Sequence, residues 1–257
     1  MKVLWILAAF ALVVAGTPAQ KLDVDILKGN HDNQISEGQR SVLINILIRQ
    51  LFELIRRIIN GGSNIFGIPP LDPLVIEHLK INIPAGLINL EMEIIKGMAT
   101  GVGDFVVHRS HLDLRELSFD IDISVPTLHI KAEQYKLNGN FYTAIPFFGE
   151  GEADLLVDNF RFNAKLFLKQ SEDGESILID RIESPGFVVN NLKSAFTGII
   201  GGGDIDVVAN AIIEEVVLSY INRLNRAIAL VAGEALTLIL NPILDQLDSW
   251  RYIDMLL

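Results

Sequence analysis

The 257-residue chain has no cysteine, is 50% hydrophobic and carries a net charge of −11; its mean hydropathy is +0.37. The acidic balance repels phosphate backbones and anionic lipid headgroups, which excludes nucleic acid as a natural partner and disfavours steady residence on an anionic membrane. Apolar content this high points either to a membrane span or to a lined internal cavity, and without disulfides packing alone must hold the fold.

Met1 to Ala19 has the pattern of a secretory leader. Lys2 is the charged end, Val3 to Val14 the apolar centre, and Thr17-Pro18-Ala19 a small-residue exit. Cleavage after Gly16 or Ala19 would start the mature chain near Gln20, so the expected location is extracellular. Beyond the leader no run reaches the roughly 20 apolar residues that a spanning helix needs. Ala227 to Leu240 is too short and is interrupted by Glu234, so no stable membrane insertion is expected. No Asn-x-Ser/Thr site is present.

Glu37 to Ile59 is helical in period. Leu43, Leu47, Leu51, Leu54, Ile55 and Ile58 recur at spacings of three and four, and Asn60-Gly61-Gly62 ends the run. Gly67-Ile68-Pro69-Pro70-Leu71-Asp72-Pro73-Leu74 follows. Its prolines exclude both helix interior and central strand, so it reads as a stiff extended connector that docks Ile68, Leu71 and Leu74. The period then changes to two. Ile88–Ile94, Leu117–Ile123 with Leu128 and Ile130, and Phe160–Leu168 alternate apolar with polar residues, as antiparallel strands with one dry face do. After Gly201-Gly202-Gly203, capped by Asp204 or Asp206, apolar residues run to Leu240 and Asn241-Pro242 stops them. A helix over about 206–240 would be roughly 50 Å long. Ile212, Val216, Tyr220, Leu224 and Ile228 form its main stripe, widened by Ile213, Val217 and Ile221. Such breadth predicts burial on more than one side, with elongated gaps at the helix flanks that either side chains or a ligand fill.

Three features taken together resemble the insect juvenile-hormone-binding and Takeout-like family. The first is the apolar N-terminal helix followed by Gly67–Leu74. The second is Tyr135-x-Leu137-x-Gly139, then Ile145-Pro146 and Gly149-x-Gly151. The third is the late glycine break, the long helix and Asn241-Pro242 with Leu244 and Leu247. The resemblance implies one domain over residues 20–257, of α+β class: a long C-terminal helix wrapped by a highly curved antiparallel sheet, enclosing an apolar tunnel, as in one half of the tubular lipid-binding proteins. It implies a secreted, non-enzymatic carrier of a terpenoid hormone or other lipid, some relatives being linked to circadian and feeding behaviour. The chain departs from the family in one respect: the usual disulfide near the mature N-terminus has no cysteine here.

On the sheet, Met92, Phe119, Ile121, Ile130, Phe141 and Phe162 are candidate tunnel contacts; on the helices, Leu51, Ile55, Val216 and Tyr220 are. Ordinary core packing competes for each of them. Tyr135 is the polar candidate, its phenol able either to donate to a ligand oxygen or to reach backbone or solvent. His108-x-x-His111 does not converge on a metal in a strand, and neither metal nor cofactor is expected. Gly101-x-Gly103 and Gly149-x-Gly151 relieve crowding where strands curve or turn, and Asp120 with Asp122 reads as solvated surface. No Gly-x-Ser-x-Gly occurs, and inward positions offer no serine with a histidine partner. The alternative to a carrier is a secreted interaction protein with an exposed apolar surface. No receptor is legible.

Overall fold

A computed structural model describes residues 37–64, 68–85, 88–141, 145–245 and 248–254. The leader and nearly all of the segment where the family disulfide would sit lie outside the described residues. Six strands form one open antiparallel sheet: β1 (Leu74–Ala85), β2 (Ile88–Thr100), β3 (Val106–Asp113), β4 (Ser118–Phe141), β5 (Ile145–Gln170) and β6 (Ile177–Phe196). The order is β1-β2-β4-β5-β6, with β3 also on β4. β4 is long enough to take two neighbours on one side. β3 pairs with Ser118–Ser124 and β2 with His129–Phe141.

Helix α1 (Glu37–Gly61) ends where Gly62 adopts φ 71° and its N–H donates 2.8 Å to the Ile58 carbonyl. The expected stripe is rotated by about one residue: Ile48, Phe52, Ile55 and Ile59 are the buried positions. α1 is apolar on most of its circumference, so the choice of face falls to Phe52, which sits 6.2 Å from the Phe105 ring and 6.5 Å from that of Phe119. The proline connector docks as expected, with Ile68, Leu71 and Leu74 all buried. Asp72 anchors it. Its carboxylate accepts from the backbone N–H of Gly101 at 3.1 Å and of Gly103 at 2.8 Å, in the turn between β2 and β3. From α1, Arg56 donates to the carbonyls of Gly103 and Phe105 at 3.3 and 2.9 Å, with its guanidinium over the Phe105 ring. Helix end, connector and turn are thereby tied into one knot.

A crease crosses the sheet. On β4 the buried face runs Phe119, Ile121, Ile123, Val125 and then steps three residues to Leu128; on β5 it steps from Phe160 to Val157, and on β6 from Val189 to Leu192. The six residues form two rows across the strands, Phe160 pairing with Val125 and Val189, and Val157 with Leu128 and Leu192. An odd step reverses the alternation, and all three strands make it at the same level, where Asn159 has φ 52°.

The C-terminal helix is not one rod. It comprises α2 (Asp204–Ile212), a π turn (Ile213–Val217), α3 (Leu218–Arg223) and α4 (Asn225–Leu244), with a break at Leu224 (φ −96°, ψ 9°); α5 (Trp250–Asp254) follows. Asn241-Pro242 does not end α4, which runs on to Leu244 with the Asp245 N–H donating 2.9 Å to the Asn241 carbonyl. The expected stripe is corrected too. Tyr220, Ile213 and Val217 face the core as expected, but Ile212, Val216 and Ile228 face solvent, and Ala209 and Leu218 turn inward instead. The π turn shifts the facing residues, because i→i+5 bonding uses more residues per turn.

Candidate functional site: the apolar interior and its helical cover

β4 and β5 build the inner wall. Cross-strand pairs Leu128–Val157 and Ile130–Leu155, continued by Phe160 and Phe162, form one apolar patch at the crease. These six side chains pack against the core yet stay half-buried, whereas Phe119, Ile121, Ala164 and Leu166 on the same strands are fully buried. A smaller cluster of Phe187, Val189 and Ala229 adjoins the patch and shares Val157, Phe160, Phe162 and Leu218 with the main core.

The helices hold to this wall through side chains that imitate a strand. β6 is the last strand of the open sheet, so one side of its backbone has no strand partner. Asn210 accepts from the Phe196 N–H at 2.8 Å and donates to its carbonyl at 2.9 Å. Asn222 does the same for Val189 at 2.9 and 2.8 Å, and Asn241 for Ile179 at 3.0 and 2.8 Å. Asp206 accepts from the N–H groups of Gly198 and Ile199 at 3.0 and 2.8 Å; Glu214 accepts from that of Ser194 at 2.7 Å. A carboxamide offers one donor and one acceptor with nearly the spacing of a peptide group, so three asparagines replace three rungs of a ladder. Sequence reasoning missed this row. Its signal was present: Asp206, Asn210 and Glu214 recur every four residues within an apolar helix.

The candidate contacts fall into distinct environments. Ile55, Phe119, Ile121 and Tyr135 are fully buried, and Leu51, Met92, Ile130, Phe162 and Tyr220 are partly buried against the core. Val216 is 36% exposed and lies outside the interior, a consequence of the π turn. Phe141 pairs with Ile88 and Ile145 through its backbone; its side chain is outside the described residues. The Tyr135 hydroxyl is engaged by backbone. It donates 2.8 Å to the Thr197 carbonyl, and the Tyr135 ring meets Phe196 edge-on at 4.9 Å. Burial, then the charge of Asp206, push the phenol up to about 12, so it stays a donor.

The outer face is polar. Arg161 grips Asp122 at 2.8 and 2.6 Å and holds its carboxyl below the usual range. His129 meets Asp154 at 2.6 Å. A nucleophile–base pair does occur here, His108 Nε2 with Ser124 Oγ at 2.8 Å. It sits on the side away from the apolar wall, and the neighbouring Asp122 is held by Arg161. A groove of about 680 Å³ opens among Lys96, Glu133, Glu150, Glu152 and Thr197; its three glutamates do not suit an apolar guest.

Among solved structures, the crystal structure of Epiphyas postvittana Takeout 1 superposes with a TM-score of 0.58 at 13% identity, covering 77% of this chain and 92% of that one. Lipopolysaccharide binding protein (TM-score 0.34, 14% identity, 82% and 40% covered) and latherin (0.27, 14%, 90% and 95%) are more distant. No curated protein matches the chain in sequence. The Takeout likeness shows the fold, an antiparallel sheet with a C-terminal helical cover. Among the described residues no helix is long and apolar enough to cross a membrane. The model of the haemolymph juvenile hormone binding protein family matches residues 13–254, and the chain belongs to that family.

Proposed function

We propose that the chain is a secreted, non-enzymatic carrier of a hydrophobic small molecule, a juvenile-hormone-like terpenoid or another lipid, held between the inner sheet face and the helices. The observation that carries this reading is the half-buried patch Leu128–Val157, Ile130–Leu155, Phe160 and Phe162, flanked on β4 and β5 by the buried Ile121, Ala132, Ala153 and Ala164. A central apolar surface left incompletely covered is where an aliphatic chain gains most, at about 25 cal/mol per Å² removed from water. Family membership supports the same class of cargo. Leu51, Met92, Ile130, Phe162 and Tyr220 are the proposed lining; Ile55, Phe119, Ile121 and Tyr135 hold the wall behind it. The test is native mass spectrometry with lipid extraction on protein from its own secretion. A stoichiometric apolar molecule supports the reading. An empty protein that also refuses terpenoids, fatty acids and quinones overturns it.

A second reading rests on α2, where Ile205, Val207, Val208 and Ile212 expose an apolar strip, Val207 by 74%. An interaction protein would use such a strip to meet a partner surface. The empty outcome of the extraction experiment favours it.

A further inference from the structure

The cover is fastened unevenly, and the loose stretch begins at one end of the apolar patch, where Phe187 of β6 pairs with Phe162. Between the Asn222–Val189 and Asn241–Ile179 clasps, residues Asn225–Leu240 of α4 run past Arg181–Phe187 of β6. Among the described residues no hydrogen bond joins these two stretches. β6 is also irregular there. Ser184 has φ 49°, Pro185 lacks a donor, and the register with β5 slips between Asn163 and Lys165. What holds α4 to this stretch is contact of small residues with apolar ones. Ala229 packs on Phe187 and Val189, and Gly233 lies so close to Ile182 that a Cβ on it would be 3.3 Å from Ile182 Cδ1. Glycine in a helix interior costs about 1 kcal/mol relative to alanine, and at 233 it permits this approach. Parting the two stretches breaks no hydrogen bond, and the edge of β6 that it uncovers is solvated by water. Parting either clasp breaks two bonds. At the Asn222 end of the seam stand Phe160, Phe162 and Leu218, which pack on Phe187, Val189 and Ala229 and join the small cluster to the main core.

We infer that a hydrophobic ligand enters and leaves sideways, through the seam between β6 (Arg181–Phe187) and α4 (Asn225–Leu240), with the Asn222 and Asn241 clasps as its fixed ends. The inference rests on the carrier reading above and adds the route. Neither end of the sheet needs to open, and the β-sheet stays intact during exchange.

The seam can be locked. A Cβ at position 233 would lie 3.8 Å from the Ile182 Cβ, within the span of a disulfide, and the chain has no other cysteine to interfere. The experiment uses the full mature chain carrying Ile182→Cys and Gly233→Cys, oxidised or reduced, with N-phenyl-1-naphthylamine as the apolar probe in stopped-flow fluorescence. The reduced form serves as the folding control. Uptake and release by the oxidised form roughly tenfold slower or more, restored on reduction, supports the seam, since association slows when binding needs a conformational change that is blocked. Equal rates in the two forms overturn it while leaving the carrier reading intact. A wild-type chain that takes up no probe and yields no lipid on extraction overturns the carrier reading, and the seam with it. Should the double variant not fold, Asn222→Ala serves instead, because it lengthens the unfastened stretch. Faster exchange than wild type supports the seam, and an unchanged rate overturns it.

Discussion

The Tyr135 hydroxyl donates 2.8 Å to the Thr197 carbonyl, 62 residues away, and so ties the middle of β4 to the chain as it leaves β6 for the helices. β5 lies between them, and glycine lets the contact form. A Cβ on Gly149 would fall 2.8 Å from the Tyr135 hydroxyl and 2.9 Å from the Gly198 carbonyl, and one on Gly151 would run into the Thr197 carbonyl. The pattern Tyr135…Gly149-x-Gly151 is therefore one device, a phenol reaching over a strand stripped of side chains. Tyr135→Phe keeps the edge-on contact with Phe196 and loses the hydrogen bond, at a cost of about 1 kcal/mol. Gly149→Ala forces backbone to move and costs about 1–3 kcal/mol. Urea unfolding measures both. Since the hydroxyl is engaged by backbone, Tyr135→Phe is expected to leave uptake of an apolar probe unchanged; a large loss of affinity in a stably folded Tyr135→Phe protein would return the phenol to the ligand.

The three asparagine clasps make separable predictions. Each carboxamide satisfies both the N–H and the carbonyl of one β6 residue, so Asn210→Ala, Asn222→Ala and Asn241→Ala each remove those two bonds, and Asn210→Ala a third, to the Asp206 carbonyl, an expected loss of about 1–3 kcal/mol. Amide exchange reads the effect locally. Phe196, Val189 and Ile179 N–H groups should each lose protection in the variant of their own partner, with the other two less affected. Asn→Asp is expected to do no better than alanine, because the carboxylate would face the backbone carbonyl that the amide served. Uniform loss of protection across β6 in every variant would mean that the helices dock as one unit and not clasp by clasp.

Asp72 explains why the connector carries an acid between two prolines. Its carboxylate collects the N–H groups of Gly101 and Gly103, a charge-assisted arrangement that Asn cannot reproduce, because its amide would meet a donor with a donor. Asp72→Asn is expected to destabilise by about 1.5–3 kcal/mol, and Asp72→Ala by a similar amount. Denaturant titration of both, with Pro70→Ala as a control in the same connector, checks that the anchor is the carboxylate; an Asp72→Asn protein as stable as wild type would assign the role to the prolines alone.

Legibility in the sequence followed the regularity of the backbone. Strands with undisturbed alternation, such as Phe119–Ile123 on β4 and Ala164–Leu168 on β5, read directly, and so did the docked Ile68, Leu71 and Leu74. β6 did not, because Ser184-Pro185-Gly186 and the step from Val189 to Leu192 interrupt the period of two. The crease is invisible for the same reason: it is an agreement among three strands and leaves only an odd spacing in each. Val216 was placed inward by a period of 3.6 that the π turn breaks. The apolar wall was legible as composition and alternation. The clasps were not, because a lone asparagine in a helix looks like surface until the strand edge it serves is known.

Acid should find the outer face first. Arg161 holds the Asp122 carboxyl below its usual range, and the backbone N–H groups of Glu116 and Arg115 do so for Asp113. His78 lowers that of Glu93; at Asp154 burial acts upward but His129 and Lys131 outweigh it. A carboxyl depressed in the folded state contributes stability that is present above its unfolded value, 3.8 for Asp and 4.5 for Glu, and is lost as pH falls through the folded value. Lys80 beside Glu91 and Lys165 beside Glu116 are raised, so their contribution is full below the unfolded value of 10.5 and is lost above it. Urea midpoints should therefore stay level between about pH 6 and 9 and decline below about pH 4. The pairs are largely exposed and screened, so the decline is shallower in high salt. Asp122→Asn is expected to remove part of the acid slope while leaving apolar probe uptake at neutral pH unchanged, because Asp122 lies on the side of the sheet away from the apolar wall. An unchanged slope in that variant would place the acid-sensitive contacts elsewhere, at Asp113 or Asp154.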